Sequence, residues 1–285
     1  VEVCRAHLGW HEFRQRAWLP SGVGPGEAFE LAVSQKTAVD IALWQERHIS
    51  REGALGARST NVDIGFAVLR SRGQDTAGRP LFELIEYVER ACTDDVSGEL
   101  VLEGGCVYRL VPLCFCQMSE PAPRCATLAV HSVHPVELRK VSSSWDEVAC
   151  AAIEGARRIG NRWADRTHPG VTYWLLHEAG GCALAVENGS DSPTAVQADA
   201  TDSVGCASSR GDFGVVALVP ARSRVLVLAL AFSPGAASAY TRAAIAPQPV
   251  PVELAPPAEE AAADRGVHGP KPLPPAEWPD RGQPP

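Results

Sequence analysis

Apolar residues in this chain come in short runs, and nearly every run is cut off by glycine, proline, serine or aspartate. That punctuation constrains the fold more than any other feature, because runs of this length make strands and leave little room for long helices. Segment 62–69 shows the pattern. Val62, Ile64, Phe66 and Val68 alternate with Asp63, Gly65, Ala67 and Leu69, a period of two. Strands are predicted at 10–18, 29–34, 38–44, 62–69, 82–88, 99–102 and 107–113. A second series follows at 127–133, 172–177, 182–187, 194–198, 214–219 and 224–232. One segment breaks the rule. Ser144-Trp145-Asp146-Glu147 is a capping box, Val148, Ala152, Ile153, Ala156 and Ile159 recur at helical spacing, and Gly160-Asn161 closes the helix. The expected fold is therefore mainly β, with two tandem antiparallel β-sandwich domains and one helix, at about 144–160, in the second.

Two changes in composition set the expected boundaries. A polar break over 117–124 divides the strands into halves, giving sandwiches at 9–117 and 127–240 with a linker at 118–126. After Ile245 the character shifts, and residues 247–285 hold 12 of the chain's 23 prolines with Trp278 as their one aromatic. Such a segment buries too little apolar surface to offset its ordering entropy, so 241–285 is expected to be a disordered Pro-rich tail. The halves echo each other. Segments 99–115 and 216–232 both read strand, tight turn, strand and end in phenylalanine, which suggests paired hairpins in a duplicated sandwich.

A net charge of −8 argues against a general nucleic-acid partner. No apolar run reaches the length of a transmembrane helix. The sequence opens on Val1 without the apolar stretch of a signal peptide, and its one methionine is Met118, so a fragment of a longer protein is expected. The nine cysteines (4, 92, 106, 114, 116, 125, 150, 182 and 206) are odd in number and irregular in spacing. Reduced, mostly buried thiols in a cytoplasmic protein account for them better than a disulfide framework.

No motif assembles a reactive centre. A thiol nucleophile needs a nearby histidine and a lowered pKa, yet Cys150 lies inside the helix, and Cys106, Cys114, Cys182 and Cys206 lie in or beside strands. Zinc ligation by Cys106, Cys114, Cys116 and Cys125, or by Cys4, His7 and His11, lacks the paired knuckles of a structural site. His131 and His134 fall on opposite faces of a strand. Seven acids (Glu83, Glu86, Glu89, Asp94, Asp95, Glu99 and Glu103) face one base, Arg90, without the spacing of a calcium loop, and read as a solvated strand face. Asn188-Gly189-Ser190 fits a glycosylation acceptor, but without a signal peptide a plain Asn-Gly turn is the preferred reading. Pro247–Pro251 and Pro272-Leu273-Pro274-Pro275 favour polyproline II. No catalytic, cofactor-binding or metal-binding residue is assigned.

The order of several motifs resembles the calpain family. Ile41-Ala42-Leu43-Trp44-Gln45-Glu46-Arg47-His48, then Val62-Asp63-Ile64-Gly65-Phe66-Ala67-Val68-Leu69, is similar to the calpain-type C2-like sandwich. Gly105-Cys106-Val107-Tyr108-Arg109-Leu110-Val111-Pro112-Leu113-Cys114-Phe115 resembles its closing strand. Residues 10–18 resemble its first strand, with Trp10 and Trp18 expected to be buried. Val1-Glu2-Val3-Cys4-Arg5 resembles the last strand of the protease core, which makes 1–8 the end of that core. In the second half, His131-Ser132 with Pro135-Val136, then Gly180-Gly181-Cys182-Ala183-Leu184-Ala185-Val186-Glu187-Asn188, resemble the C-terminal domain of small optic lobes calpains. Ser208-Ser209-Arg210-Gly211, Val219-Pro220 and 224–232 extend that likeness more loosely.

The resemblance implies the noncatalytic, regulatory part of an intracellular cysteine endopeptidase. The implied partners are its own protease core and protein substrates or adaptors. The family's Cys-Trp nucleophile motif does not occur here, so no catalytic residue is carried over. The implied calcium dependence belongs to the protease core, and no cofactor is assigned to this chain. The competing readings are a free-standing C2-like adaptor for proteins or membrane surfaces, and an independent hydrolase.

Overall fold

The computed structural model describes residues 9–20, 22–46, 49–50, 58–59, 61–74, 80–116, 124–233, 241–263 and 266–273. Eleven strands come first: β1 (His11–Leu19), β2 (Glu27–Val33), β3 (Thr37–Gln45), β4 (Ile49–Ser50), β5 (Arg58–Ser59), β6 (Ile64–Gln74), β7 (Pro80–Ala91), β8 (Asp95–Leu102), β9 (Cys106–Leu113), β10 (Arg124–Ser132) and β11 (Val136–Ser142). Helix α1 (Trp145–Ile159) follows. Then come β12 (Asn161–Ala164), β13 (Val171–Glu178), β14 (Gly181–Asn188), β15 (Thr194–Asp199), β16 (Cys206–Ser208), β17 (Gly214–Val219), β18 (Ser223–Phe232) and β19 (Ala246–Val250). A 3-10 turn (Val252–Leu254), α2 (Ala258–Ala263) and β20 (Lys271–Pro272) complete the order.

The chain is mainly β, as its patterning predicts. Sheet A runs β1-β10-β3-β8 and sheet B runs β11-β2-β9-β6-β7. They face each other across a core that includes Leu19, Ile41, Leu43 and Leu128 opposite Phe29, Leu31, Phe66 and Leu110. Sheet C runs β12-β13-β14-β18-β16, with β20 also on β18, and sheet D runs β17-β15-β19. Tyr173, Leu184, Val186, Val196, Val219 and Val227 fill the space between these two. The small β4–β5 pair stands apart from all four.

Helix α1 joins the two sandwiches. It packs on β7, β6 and β9 of sheet B and on β13, β14 and β18 of sheet C. Its buried residues are mostly small, among them Ala149, Ala151, Ala152, Gly155 and Ala156, so both sheets come close to its backbone. Both bonds of the Ser144–Glu147 capping box form. This middle layer also explains why β6 and β14 bury both faces and lose the alternation of a half-exposed strand.

Four expectations are corrected. The linker at 118–126 does not separate the domains. β10 returns to the centre of sheet A, antiparallel to both β1 and β3, and β11 pairs with β2 at the edge of sheet B. The first sandwich therefore runs through Ser142. An alternating strand carries no mark of which sheet it will join, so the polar break in the sequence is not a domain boundary. The 241–285 tail is not wholly disordered. β19 pairs with β15, with Pro247 and Pro249 at alternate positions of an edge strand, where their missing N–H groups cost no ladder bond. Farther on, Val267 and Leu273 are buried and Lys271 meets Asp146 at 2.7 Å. Residues 274–285 lie outside the described set, as does the expected core strand at 1–8.

The two echoing segments are not hairpins. β8 lies in sheet A and β9 in sheet B, and likewise β17 lies in sheet D and β18 in sheet C. Each pair bridges two sheets. Gly105 and Arg222, at equivalent places in the two turns, both take positive φ, 72° and 53°. Trp18 is the fourth correction: Ala17 and Leu19 face the core, so period two turns Trp18 outward, 49% exposed. Trp10 is half-buried.

Candidate functional site: the buried junction between the sandwiches

The most heavily built polar site lies where the β13–β14 turn meets the first sandwich. Its centre is Arg90, near the end of β7, with no exposed surface. Its backbone N–H donates to Glu178 Oε1 at 2.8 Å and its Nε to Glu178 Oε2 at 2.8 Å. Its Nη1 donates to Asp63 Oδ2 at 2.5 Å. The guanidinium also lies 4.0 Å from the centre of the Phe115 ring. Tyr87 Oη donates to Glu178 Oε1 at 2.8 Å. Asp63 accepts further bonds from the amides of Phe115 and Cys116, at 3.0 and 2.8 Å. Thus Glu178 of the second unit is held by two residues of the first, through charge-assisted bonds shielded from water.

A backbone bond closes the same seam: Gly180 N donates to Arg90 O at 3.0 Å, and within the second unit Phe232 N donates to Gly180 O, also at 3.0 Å. The approach leaves no space for side chains at the turn. A Cβ on Gly180 would stand 2.7 Å from Asp63 Cβ, and one on Gly181, at φ +144°, only 2.0 Å from Leu230 O. On the helix, a Cβ on Gly155 would stand 2.5 Å from the Tyr87 ring. Gly180 therefore reflects close packing of one unit on the other, while Gly181, at positive φ, is crowded by β18 of its own sheet.

The electrostatics are those of a lock. Burial by itself would lower the Arg90 guanidinium, but Glu178 and then Asp63 outweigh it and hold its pKa above the usual value. Burial pushes the Asp63 carboxyl up, against the pull of Arg90 and the two amides. Burial, reinforced by Glu178, raises the Tyr87 hydroxyl well above its usual value. A second cluster ties α1 to sheet C: Arg224 bonds Glu187 and Glu154 at 2.8 and 2.9 Å, and Arg157 bonds Glu154 at 2.6 Å.

Of the described cysteines, Cys114, Cys116 and Cys182 are buried, Cys106, Cys125, Cys150 and Cys206 are half-buried and Cys92 is exposed, so fewer are buried than expected. Desolvation of the thiol, with Asp63 adding to it, pushes Cys92 up to about 11 and Cys116 up to about 12. Burial pushes Cys182 up to about 12 and also raises Cys114 and Cys150. A nucleophile needs the opposite shift. No group of three or more His, Cys, Asp or Glu among the described residues is placed to hold a metal ion. Cys114 and Cys116 turn instead to Asp63 and to Phe232 O, while His131 stands 3.7 Å from Glu12. Cys4 and His7 lie outside the described residues.

The acidic run is dispersed. Glu83 pairs with Arg70 and Arg72, Glu86 with Arg158, and Glu103 with Lys36. Arg90, the base among them, turns the other way into the interior. Asn188 is fully buried, and its amide donates to Ser192, Val219 and Pro220 carbonyls while accepting from Ser190, so the turn and not a glycan explains it. The alternation in the sequence puts Asp63 on the polar face of a strand, whereas it lies just before β6 and turns inward. Its one signal was a charged residue inside an otherwise apolar run, which on a strand covered on both sides demands a buried partner.

Residues 156–245 match the family model described as calpain-D-like, C-terminal domain. The match begins in the last turn of α1 and ends just before β19, so it spans sheet C and two strands of sheet D. No helix among the described residues is long and apolar enough to cross a membrane.

Proposed function

We propose that this chain is the noncatalytic C-terminal region of a calpain-type cysteine endopeptidase of the small optic lobes group, and that a protease core elsewhere in the parent protein does the cutting. The observation that carries the reading is the place of the family match. A calpain-D-like C-terminal domain coincides with the second sandwich, and directly before it stands a sandwich whose motifs follow the order of the calpain C2-like domain. The Arg90 junction supports a role as one body: a core that engages the first sandwich also fixes the position of the second. The exposed Trp18 on β1 supports a docking face for that core. Calcium acts, on this reading, through the core, and the protein works in the cytoplasm on protein substrates.

The raised thiols of Cys92, Cys114, Cys116, Cys150 and Cys182 predict an inert chain. The purified chain, assayed on casein and with a thiol-protease probe in millimolar Ca²⁺, shows no turnover and no labelling. Turnover lost on a single Cys→Ala change overturns the reading.

A further inference from the structure

Strand β12 is a free edge of sheet C, four residues long and exposed throughout. Its pairing fixes which backbone groups are free. Asp165 N donates to Val171 O at 2.9 Å, and the register runs Trp163 to Tyr173 and Asn161 to Leu175. In an antiparallel pair, bonded and non-bonded residues alternate. Asn161 and Trp163 therefore bond to β13, while the N–H and C=O of Arg162 and Ala164 point away from the sheet.

The side chains beside this edge divide by face. Arg162 lies opposite Trp174, its guanidinium 5.3 Å from the ring centre, and among the described residues it pairs with no carboxylate. Exposed Arg166 is likewise unpaired there. On the other face Trp163 is stacked on Tyr173, with ring centres 5.4 Å apart and planes 13° apart, so a 36% exposed indole is held rigid. In a chain of net charge −8 this is a local cationic and aromatic edge.

A short strand carrying arginine is also a way of blocking association. Two other edges in this fold show what closure looks like here. On β7, Arg158 Nη1 donates to Ile85 O at 2.7 Å. The second side of β18 is covered by β16 and β20, and between them Ser209 bonds Ala229 and Arg210 bonds Val227 O. Among the described residues nothing covers Arg162 and Ala164 in that way.

We propose that β12 accepts an extended peptide from a protein partner as an added strand, with an acidic residue beside Arg162 and an aliphatic or aromatic residue beside Trp163. Main-chain bonds to Arg162 and Ala164 supply the register, and alternate side chains supply selectivity. The two adjacent residues of the ligand fall on opposite faces, so the motif is an acidic residue next to an apolar one. This goes beyond the proposed function and holds whether or not a protease core accompanies the chain.

The test uses the whole chain and a labelled, end-blocked hexapeptide of alternating Glu and Val, followed by anisotropy. The expected result is saturable, salt-weakened binding, with none to the Lys-Val counterpart or to a Glu-Val peptide N-methylated at alternate residues. Arg162→Glu reverses the preference between the two peptides. Ala164→Pro removes only an outward donor, so it weakens binding about tenfold or more while leaving the melting temperature of the chain unchanged. Equal binding of both charges, or of the N-methylated peptide, overturns the proposal, as does an Arg162→Glu variant that still prefers Glu-Val. Tighter binding of an oligothymidylate at the same edge, or dimerisation of the chain lost on Ala164→Pro, assigns the edge to another occupant and overturns it as well.

Discussion

Replacing Arg90 with methionine removes the one cation from the junction and keeps most of its volume. Asp63 and Glu178, whose side chains have no exposed surface, are then left facing each other's charge without a counterion. Breaking a buried ion pair from one side costs about 3–5 kcal/mol, because the penalty is that of the stranded charge. For an ordered chain of this size each kcal/mol lowers the melting temperature by about 2–4 °C, which gives a fall of roughly 6–20 °C. Urea titration at pH 7 gives the free energy directly. The pH dependence supplies a second signature. A carboxyl whose folded pKa lies above its unfolded value binds more protons when folded, so its penalty is full above the folded pKa and disappears as pH falls below the unfolded one. Asp63 is already raised by burial, and losing Arg90 raises it further. The gap between variant and wild type therefore narrows as pH falls toward the unfolded carboxyl range. A triple variant, Asp63→Asn, Glu178→Gln and Arg90→Met, recovers part of the loss. A cost below about 1 kcal/mol, or a gap that widens on acidification, refutes the reasoning.

Three further outcomes follow from the packing. Truncation after Ile245 removes β19, Val267 and Leu273, and burial of two such side chains is worth about 3–6 kcal/mol, so the urea midpoint falls; an unchanged midpoint refutes the packed tail. Gly155→Ala drives a methyl into the Tyr87 ring and costs about 1–3 kcal/mol, with loss of near-ultraviolet dichroism from the displaced tyrosine; a neutral result shows that the helix can shift. Trp18→Ala costs within about 1 kcal/mol, against about 3–5 kcal/mol for a buried tryptophan, and thermal melts separate the two.

The helix and the β class were legible because both rest on local chemistry. Ser144 and Glu147 cap α1 whatever surrounds it, and Val39, Ile41 and Leu43 alternate inward in any sandwich. The partners of a strand are set by distant residues. β10 has the pattern of a central strand, but nothing in Ala126, Leu128 or Val130 says that β1 and β3 will flank it. The tail escaped notice because its order comes from a few plugs and backbone bonds, and an average over 39 residues hides Val267 and Leu273. The junction was hidden most completely. Arg90 and Glu178 are 88 residues apart, and their charges look like surface charges until two sheets close over them.

The two sandwiches behave as one body joined through Arg90, Glu178 and α1. Differential scanning calorimetry of the wild-type chain tests this most directly. One transition is predicted, with calorimetric and van't Hoff enthalpies equal, and Arg90→Met lowers the midpoint of that single transition as a whole. Two independent transitions in the wild type, with the first unaffected by Arg90→Met, would contradict the account.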